Sequence, residues 1–133
     1  MKLSKLIEGQ KTLQIVGPVD IEVRDIEFDS RKVGPGSLFV ATAGTVVDGH
    51  SFIPQCLEAG AVAIVCEKLP EKTEGATFVV VEDSQKALGE IASKFYGEPS
   101  KKLTLVGVTG TNGKTTIATL LYKLTRGLGH KSG

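Results

Sequence analysis

A surplus of charge of either sign is the first thing missing. Sixteen Lys and Arg residues stand against fifteen Asp and Glu among 133 residues, a formal net charge of +1. A chain this balanced offers no broad field to gather nucleic acid or an anionic membrane, and neither is expected as a partner. Long apolar runs are missing too. The longest stretches, such as residues 61–66, fall far short of the roughly 20 residues that span a bilayer. The N-terminus, Met1-Lys2-Leu3-Ser4-Lys5-Leu6-Ile7, turns charged at Glu8. It has neither the apolar core nor the cleavage pattern of an export signal, so a cytoplasmic location is expected. Cysteine is scarce. Cys56 and Cys66 lie among apolar neighbours, with no further ligands at metal-binding spacing. They are expected as buried, reduced thiols. His50 and His130 stand isolated and are expected on the surface or in loops. No internal repeat or low-complexity segment is present.

What remains is an ordinary globular balance, 41% hydrophobic and 23% charged. Leu3, Leu6 and Ile7 predict a short opening helix. Residues 12–16 read as a strand ending at Gly17-Pro18. In residues 22–29, Ile26 and Phe28 continue the alternation of Ile21 and Val23 with one slip of phase, which predicts a half-buried strand with a bulge. A Gly34-Pro35-Gly36 turn precedes a short buried strand at 38–41, and residues 44–49 read as a loop. Phe52, Ile53, Cys56 and Leu57 share one face of a helix over 51–59, closed by Gly60. Residues 61–66 and 77–81 read as strands covered on both faces. Asp83 or Ser84 can cap the next helix, whose stripe is Leu88, Ile91, Ala92 and Phe95. Residues 96–102, with Gly97, Pro99 and Ser100, form the candidate linker. A strand at 103–108, a glycine-rich loop and a helix from Lys114 to about Leu128 follow. Ile117, Leu120, Leu121, Leu124 and Leu128 give that helix an apolar stripe expected to be buried. The alternation of strands and helices predicts an α/β fold. It also predicts a first domain at 1–98 and, at 99–133, the start of a second, truncated domain whose strand lacks parallel neighbours.

Chemistry concentrates in Thr109-Gly110-Thr111-Asn112-Gly113-Lys114-Thr115-Thr116. A glycine-rich turn from a strand into a helix directs backbone N–H groups and the positive end of the helix dipole at an anion. Gly110 and Gly113 admit backbone angles that let phosphate approach. Lys114 is the candidate catalytic residue, reaching the β- and γ-phosphates of ATP, and the Thr115 hydroxyl is the candidate Mg²⁺ ligand. Thr111, Asn112 and Thr116 complete the cradle. The general pattern wants a glycine where Val108 stands. The competing reading is a glycine-rich turn with a solvated lysine.

This loop resembles that of the Mur ligases, which extend the peptide stem of peptidoglycan precursors and whose loop also lacks that first glycine. Upstream, Asp29-Ser30-Arg31-Lys32-Val33, Pro35-Gly36-Ser37-Leu38-Phe39-Val40-Ala41, Asp48-Gly49-His50 and Phe52-Ile53 resemble the N-terminal domain of the MurE and MurF branches. Gly60-Ala61-Val62-Ala63 and Phe95-Tyr96-Gly97-Glu98-Pro99-Ser100 agree. The likeness thus covers nearly the whole chain. Thr111-Asn112 and the Phe-Tyr-x-x-Pro-Ser linker are more similar to MurE than to MurF.

The resemblance implies an N-terminal domain of mixed sheet that holds UDP-MurNAc-L-Ala-D-Glu. By position, Phe28 and Ser30, and then Thr45, Val46 and Val47, match residues that contact the nucleotide sugar. MurE proteins often carry polar side chains where Val46 and Val47 stand, which leaves these two backbone or apolar contacts. From the residues alone, Ser30 reads as a turn-capping hydroxyl and Asp29–Arg31 as a surface ion pair. The implied reaction is ATP-dependent. The substrate carboxylate attacks the γ-phosphate, giving an acyl phosphate and ADP; the amine of meso-diaminopimelate or L-lysine then displaces phosphate. The implied full-length enzyme is a monomer. The 133-residue piece is expected to be inactive and, at 99–133, poorly ordered or self-associated. The alternatives are a MurF-type ligase adding D-Ala-D-Ala, or a non-catalytic module binding a UDP-sugar or a partner protein.

Overall fold

The computed structural model describes every residue except Leu103 and Leu105, and Ser100 by its backbone alone. The chain divides into two compact units, Met1–Ser100 and Lys101–Gly133.

In the first unit the elements run α1 (Leu3–Leu6), β1 (Thr12–Val16), β2 (Asp25–Glu27), β3 (Ser37–Val40), α2 (Ile53–Glu58), β4 (Ala63–Cys66), β5 (Thr77–Val81) and α3 (Ser84–Phe95). The five strands form one mixed sheet in the order β1-β5-β4-β3-β2. β2 to β5 are mutually parallel, and β1 runs antiparallel along β5.

Strand alternation builds a core on each face of this sheet. Leu38, Val40, Ala63, Val65, Val79 and Val81 point to one side, where Leu3 and Leu6 of α1 and Ala87 and Ile91 of α3 meet them. Phe39, Ala41, Ile64, Cys66, Phe78 and Val80 point to the other, against Ile53 and Cys56 of α2. Every residue of β3, β4 and β5 is buried, as the apolar runs predict for parallel strands covered on both faces. Cys56 and Cys66 are free and buried, and burial pushes both thiols up to about 11.

Local chemistry sets the boundaries. Asp83 caps α3, its Oδ1 accepting from the Lys86 amide at 2.9 Å. Gly60, with φ +98°, turns the chain out of α2. The α2 segment opens as a 3₁₀ turn, Gly49–Phe52, before becoming α-helical.

The expected strand over 22–29 is shorter than its pattern. Only Asp25–Glu27 joins the sheet; Glu22 instead bridges Lys2, and the Val23 amide donates to Met1 O at 2.8 Å. The phase slip marks this change of partner. Ile21, Val23 and Ile26 still reach the same core, whereas Phe28 is 64% exposed.

The second unit holds a 3₁₀ turn, Pro99–Lys102, which begins just before it, and α4 (Lys114–Gly127). The expected strand at 103–108 includes Leu103 and Leu105, which lie outside the described residues; Thr104 and residues 106–109 carry no strand. α4 keeps the expected apolar periodicity, but its stripe is not buried. Ile117, Leu120, Leu124 and Leu128 are all exposed, Leu120 by 61%, and Leu121 is half-buried. The period that forms a helix does not supply the surface that covers it. Among the described residues no helix is long and apolar enough to cross a membrane.

Candidate functional site

Because β2 to β5 run the same way, their carboxyl ends share one end of the sheet. Residues 28–32 leave β2 there, 41–49 leave β3, Glu67 follows β4 and 82–84 follow β5. In open parallel sheets this end gathers ligands, since the loops there are free of the ladder.

Phe28 opens the first of these segments with most of its ring in solvent. The Ser30–Lys32 3₁₀ turn follows. Its cap is Asp29, whose Oδ1 accepts from the Arg31 amide at 3.1 Å. The Ser30 hydroxyl is therefore not the cap; among the described residues it makes no hydrogen bond, and Ser30 is half-buried. Arg31 grips Asp29 with two nitrogens, Nε to Oδ1 at 2.9 Å and Nη2 to Oδ2 at 2.7 Å. These side-chain bonds, with the backbone bond second, hold the Asp29 carboxyl at about 2, below its ordinary 3.8. A depressed carboxylate contributes above its unfolded pKa and loses that contribution as pH falls through the folded one. The turn is therefore expected to hold at pH 4 and to loosen toward pH 2. A carbon-detected NMR titration should place the Asp29 midpoint near 2 and, in Arg31→Ala, shift it upward toward 3.8.

Thr45, Val46 and Val47 form the tip of the segment after β3. All are exposed, Val46 by 93%. Ala43 and Asp48 pair across the base, and the Gly49 amide donates to Thr42 O at 2.9 Å. Phe28, Ser30 and residues 45–47 thus stand in the segments that follow two adjacent parallel strands, β2 and β3, at one end of one sheet.

His50 is not isolated. Its Nδ1 lies 2.6 Å from Asp48 Oδ1, and its Nε2 accepts from the Glu67 amide at 2.9 Å. An accepting Nε2 puts the ring proton on Nδ1, facing the carboxylate. The sequence carried no signal for this contact, because the partner at residue 67 is a backbone amide.

In the second unit, residues 109–116 are all exposed. Gly113 is the N-cap of α4 in the left-handed region, φ +77°, and caps it with no side chain. Gly110 also has positive φ, +141°. A β-carbon on Gly113 would meet nothing within 4 Å, so its absence serves the backbone angle rather than packing. The first amides of α4 have no partner inside the helix, and no side chain competes for them. Lys114 and Thr115 open that first turn. The Thr115 carbonyl accepts from Thr119 Oγ1 at 2.8 Å, and the Thr115 hydroxyl makes no hydrogen bond among the described residues. Uncapped amides, a lysine and a free hydroxyl form a donor set suited to a polyphosphate with its cation.

The model of the Mur ligase family, catalytic domain, matches residues 22–96. The chain belongs to the Mur ligase family. The matched stretch covers β2 through α3 and ends before the glycine-rich loop. The UDP-N-acetylmuramoyl-L-alanyl-D-glutamate–2,6-diaminopimelate ligase of Parabacteroides distasonis is 54% identical over 134 residues, covering all of this chain and 28% of its own length. The chain thus spans little more than a quarter of that relative. Among solved structures, a UDP-N-acetylmuramoyl-L-alanyl-D-glutamate–2,6-diaminopimelate ligase shares the fold at TM-score 0.68, with 24% identity, 98% of this chain and 26% of its own. The MurF ligase of Thermotoga maritima in complex with ADP matches at TM-score 0.55, with 36% identity, 79% of this chain and 24% of its own. The likeness read from the loop and the upstream motifs is thus borne out at the level of the family and of the mixed α/β fold.

Proposed function

We propose that this chain is the N-terminal part of an ATP-dependent ligase that joins 2,6-diaminopimelate to UDP-MurNAc-L-Ala-D-Glu in the cytoplasm. The observation that carries the reading is the loop at residues 110–116: a left-handed glycine opening an uncapped helix, with Lys114 and Thr115 in its first turn. A loop of this kind holds phosphate by backbone amides and helix dipole. The ADP bound by the related Thermotoga maritima ligase supports ATP as the nucleotide. The relative that is 54% identical supports the choice of acceptor and amino acid.

In this reading Gly110, Thr111, Asn112, Gly113 and Thr116 supply the cradle. Lys114 neutralises charge that develops on the phosphates, and the Thr115 hydroxyl is one ligand of Mg²⁺. Mg²⁺, when bound, screens the phosphate oxygens against the incoming carboxylate. Phe28, Ser30, Thr45, Val46 and Val47 hold the nucleotide sugar. Phe28 offers an exposed ring, Ser30 an uncommitted hydroxyl, and residues 45–47 an exposed loop with two apolar side chains. Residues 1–98 form the substrate domain and 99–133 begin the ATP domain.

The test of the substrate half is calorimetric titration of the 133-residue chain with UDP-MurNAc-L-Ala-D-Glu. Binding weaker than micromolar but competed by UDP is expected, with amide NMR shifts at Ser30 and at residues 45–47. No heat and no shift at millimolar ligand would remove the substrate assignment.

A further inference from the structure

The exposed tip at residues 45–47 is anchored through both its arms, and the two anchors meet at one residue. On the ascending arm, the Ala43 amide lies 3.4 Å from Ser84 Oγ, and Gln85 Nε2 reaches Ala43 O at 3.4 Å. Ser84 is fully buried, and both its hydroxyl and its amide donate to Glu67 Oε1, at 2.8 and 2.9 Å. On the descending arm, Asp48 accepts from the His50 amide at 3.0 Å and faces His50 Nδ1 at 2.6 Å. His50 Nε2 then accepts from the Glu67 amide at 2.9 Å. The Ala43–Asp48 bridge closes the circuit.

Glu67 is thus held at both ends. Its backbone fixes one arm through His50, and its carboxylate fixes the other through Ser84. The residue directly follows β4, the central strand of the sheet, whose four residues are all buried, so the circuit is tied to the core. The base of the loop is also tight. A β-carbon on Gly44 would fall 2.4 Å from Val47 O, and one on Gly49 2.8 Å from Thr42 O. A loop this close to its own backbone has few ways to shift without breaking these bonds.

We propose that Glu67 is a positioning residue for nucleotide-sugar binding, its carboxylate fixing the ascending arm of the loop through Ser84 so that residues 45–47 are presented in one conformation. The inference rests on the substrate role given to that loop. A loop ordered before binding loses less conformational freedom when it binds. Glu67 touches no ligand in this scheme and acts through the loop.

Three variants of the 133-residue chain separate this role from general stability. Glu67→Ala deletes the acceptor of both Ser84 donors but keeps the Glu67 amide for His50. Glu67→Gln keeps an acceptor oxygen at the same place. Ser84→Ala removes the hydroxyl link and stands in should Glu67→Ala fail to fold. Without ligand, amide exchange at residues 43–48 is expected to quicken about tenfold in Glu67→Ala and Ser84→Ala and to stay within about twofold of wild type in Glu67→Gln. With UDP-MurNAc-L-Ala-D-Glu, the Kd should rise about tenfold in Glu67→Ala and Ser84→Ala and stay near the wild-type value in Glu67→Gln. Unchanged exchange at 43–48 overturns the proposal, as does faster exchange spread evenly over β3, β4 and β5. Exchange that quickens while affinity stays at the wild-type value overturns the link to binding. A wild-type chain that binds no UDP-MurNAc-L-Ala-D-Glu removes the substrate reading and the binding half with it, while the exchange rates still decide whether Glu67 holds the loop.

Discussion

Lys114→Ala, in a polypeptide of the length of its relatives, is expected to lower ligation by about 10³-fold and to leave the affinity for UDP-MurNAc-L-Ala-D-Glu unchanged. The size follows from where the charge sits. Lys114 is the first residue of α4, directly after the left-handed Gly113 and beside amides that no side chain caps. A cation there acts on charge that grows on the transferring phosphoryl group, so its loss raises the barrier rather than the ground state. The substitution has little structural cost. The Lys114 side chain is exposed and makes no hydrogen bond or ion pair among the described residues. Phe28, Ser30 and residues 45–47, proposed above to hold the substrate, belong to the other compact unit. Phosphate release under saturating substrate measures the chemistry, and calorimetry with the UDP substrate measures the binding. Wild-type release by the variant would take the catalytic role away from Lys114; a matching loss of UDP-substrate affinity would mean that the change had spread beyond the loop.

The first unit was largely legible because its physics is local and periodic. Residues 61–66 are apolar without interruption and residues 78–81 continue in the same way after Thr77; short, β-branched runs of this kind suit strands buried on both faces, and alternate residues then divide between the two cores. Asp83, one step before α3, could be read as its cap, and it is. The glycine loop was legible for a different reason. Gly113 with Lys114 and Thr115 is a donor set whose spacing implies its own geometry, and the left-handed φ at the mouth of α4 is that geometry.

Other features depend on partners distant in sequence. The pattern of residues 22–29 records which side chains face the core, but not that Met1 and Lys2 take over the backbone bonds of Glu22 and Val23. The alternation cannot distinguish Phe28, left in solvent, from Ile26, packed on the core. His50 looked solitary because one of its two partners is the amide of Glu67, seventeen positions away. The stripe of α4 fixed a helix and an orientation, yet the structure leaves Leu120 and Leu124 exposed.

The 133-residue chain by itself is expected to show no ligase turnover. Phosphoryl transfer needs a cradle, a metal held from more than one side, and both reactants in line. Residues 110–116 are proposed to provide the first of these. For the second they offer one hydroxyl, that of Thr115, and among the described residues no group of three His, Cys, Asp or Glu side chains gathers as metal ligands. For the third, none of the residues proposed for ATP, Mg²⁺ or the nucleotide sugar is proposed to hold the incoming diamino acid. α4 also carries exposed Ile117, Leu120, Leu124 and Leu128 along one stripe, a face that in a finished α/β domain packs on a sheet. The related ligase from Parabacteroides distasonis matches this chain over 28% of its length, so residues outside that match are available to supply what is lacking. Supplied with ATP, Mg²⁺, UDP-MurNAc-L-Ala-D-Glu and either 2,6-diaminopimelate or L-lysine, the purified chain should release phosphate no faster than a Lys114→Ala control. Isothermal titration should find ATP affinity weaker than about 1 mM, since a loop with no group of metal ligands among the described residues is not preorganised for the triphosphate. Release that requires both the UDP substrate and one of the amino acids would show that these residues hold a complete site, and would overturn the assignment of metal binding and amine recognition to residues beyond them.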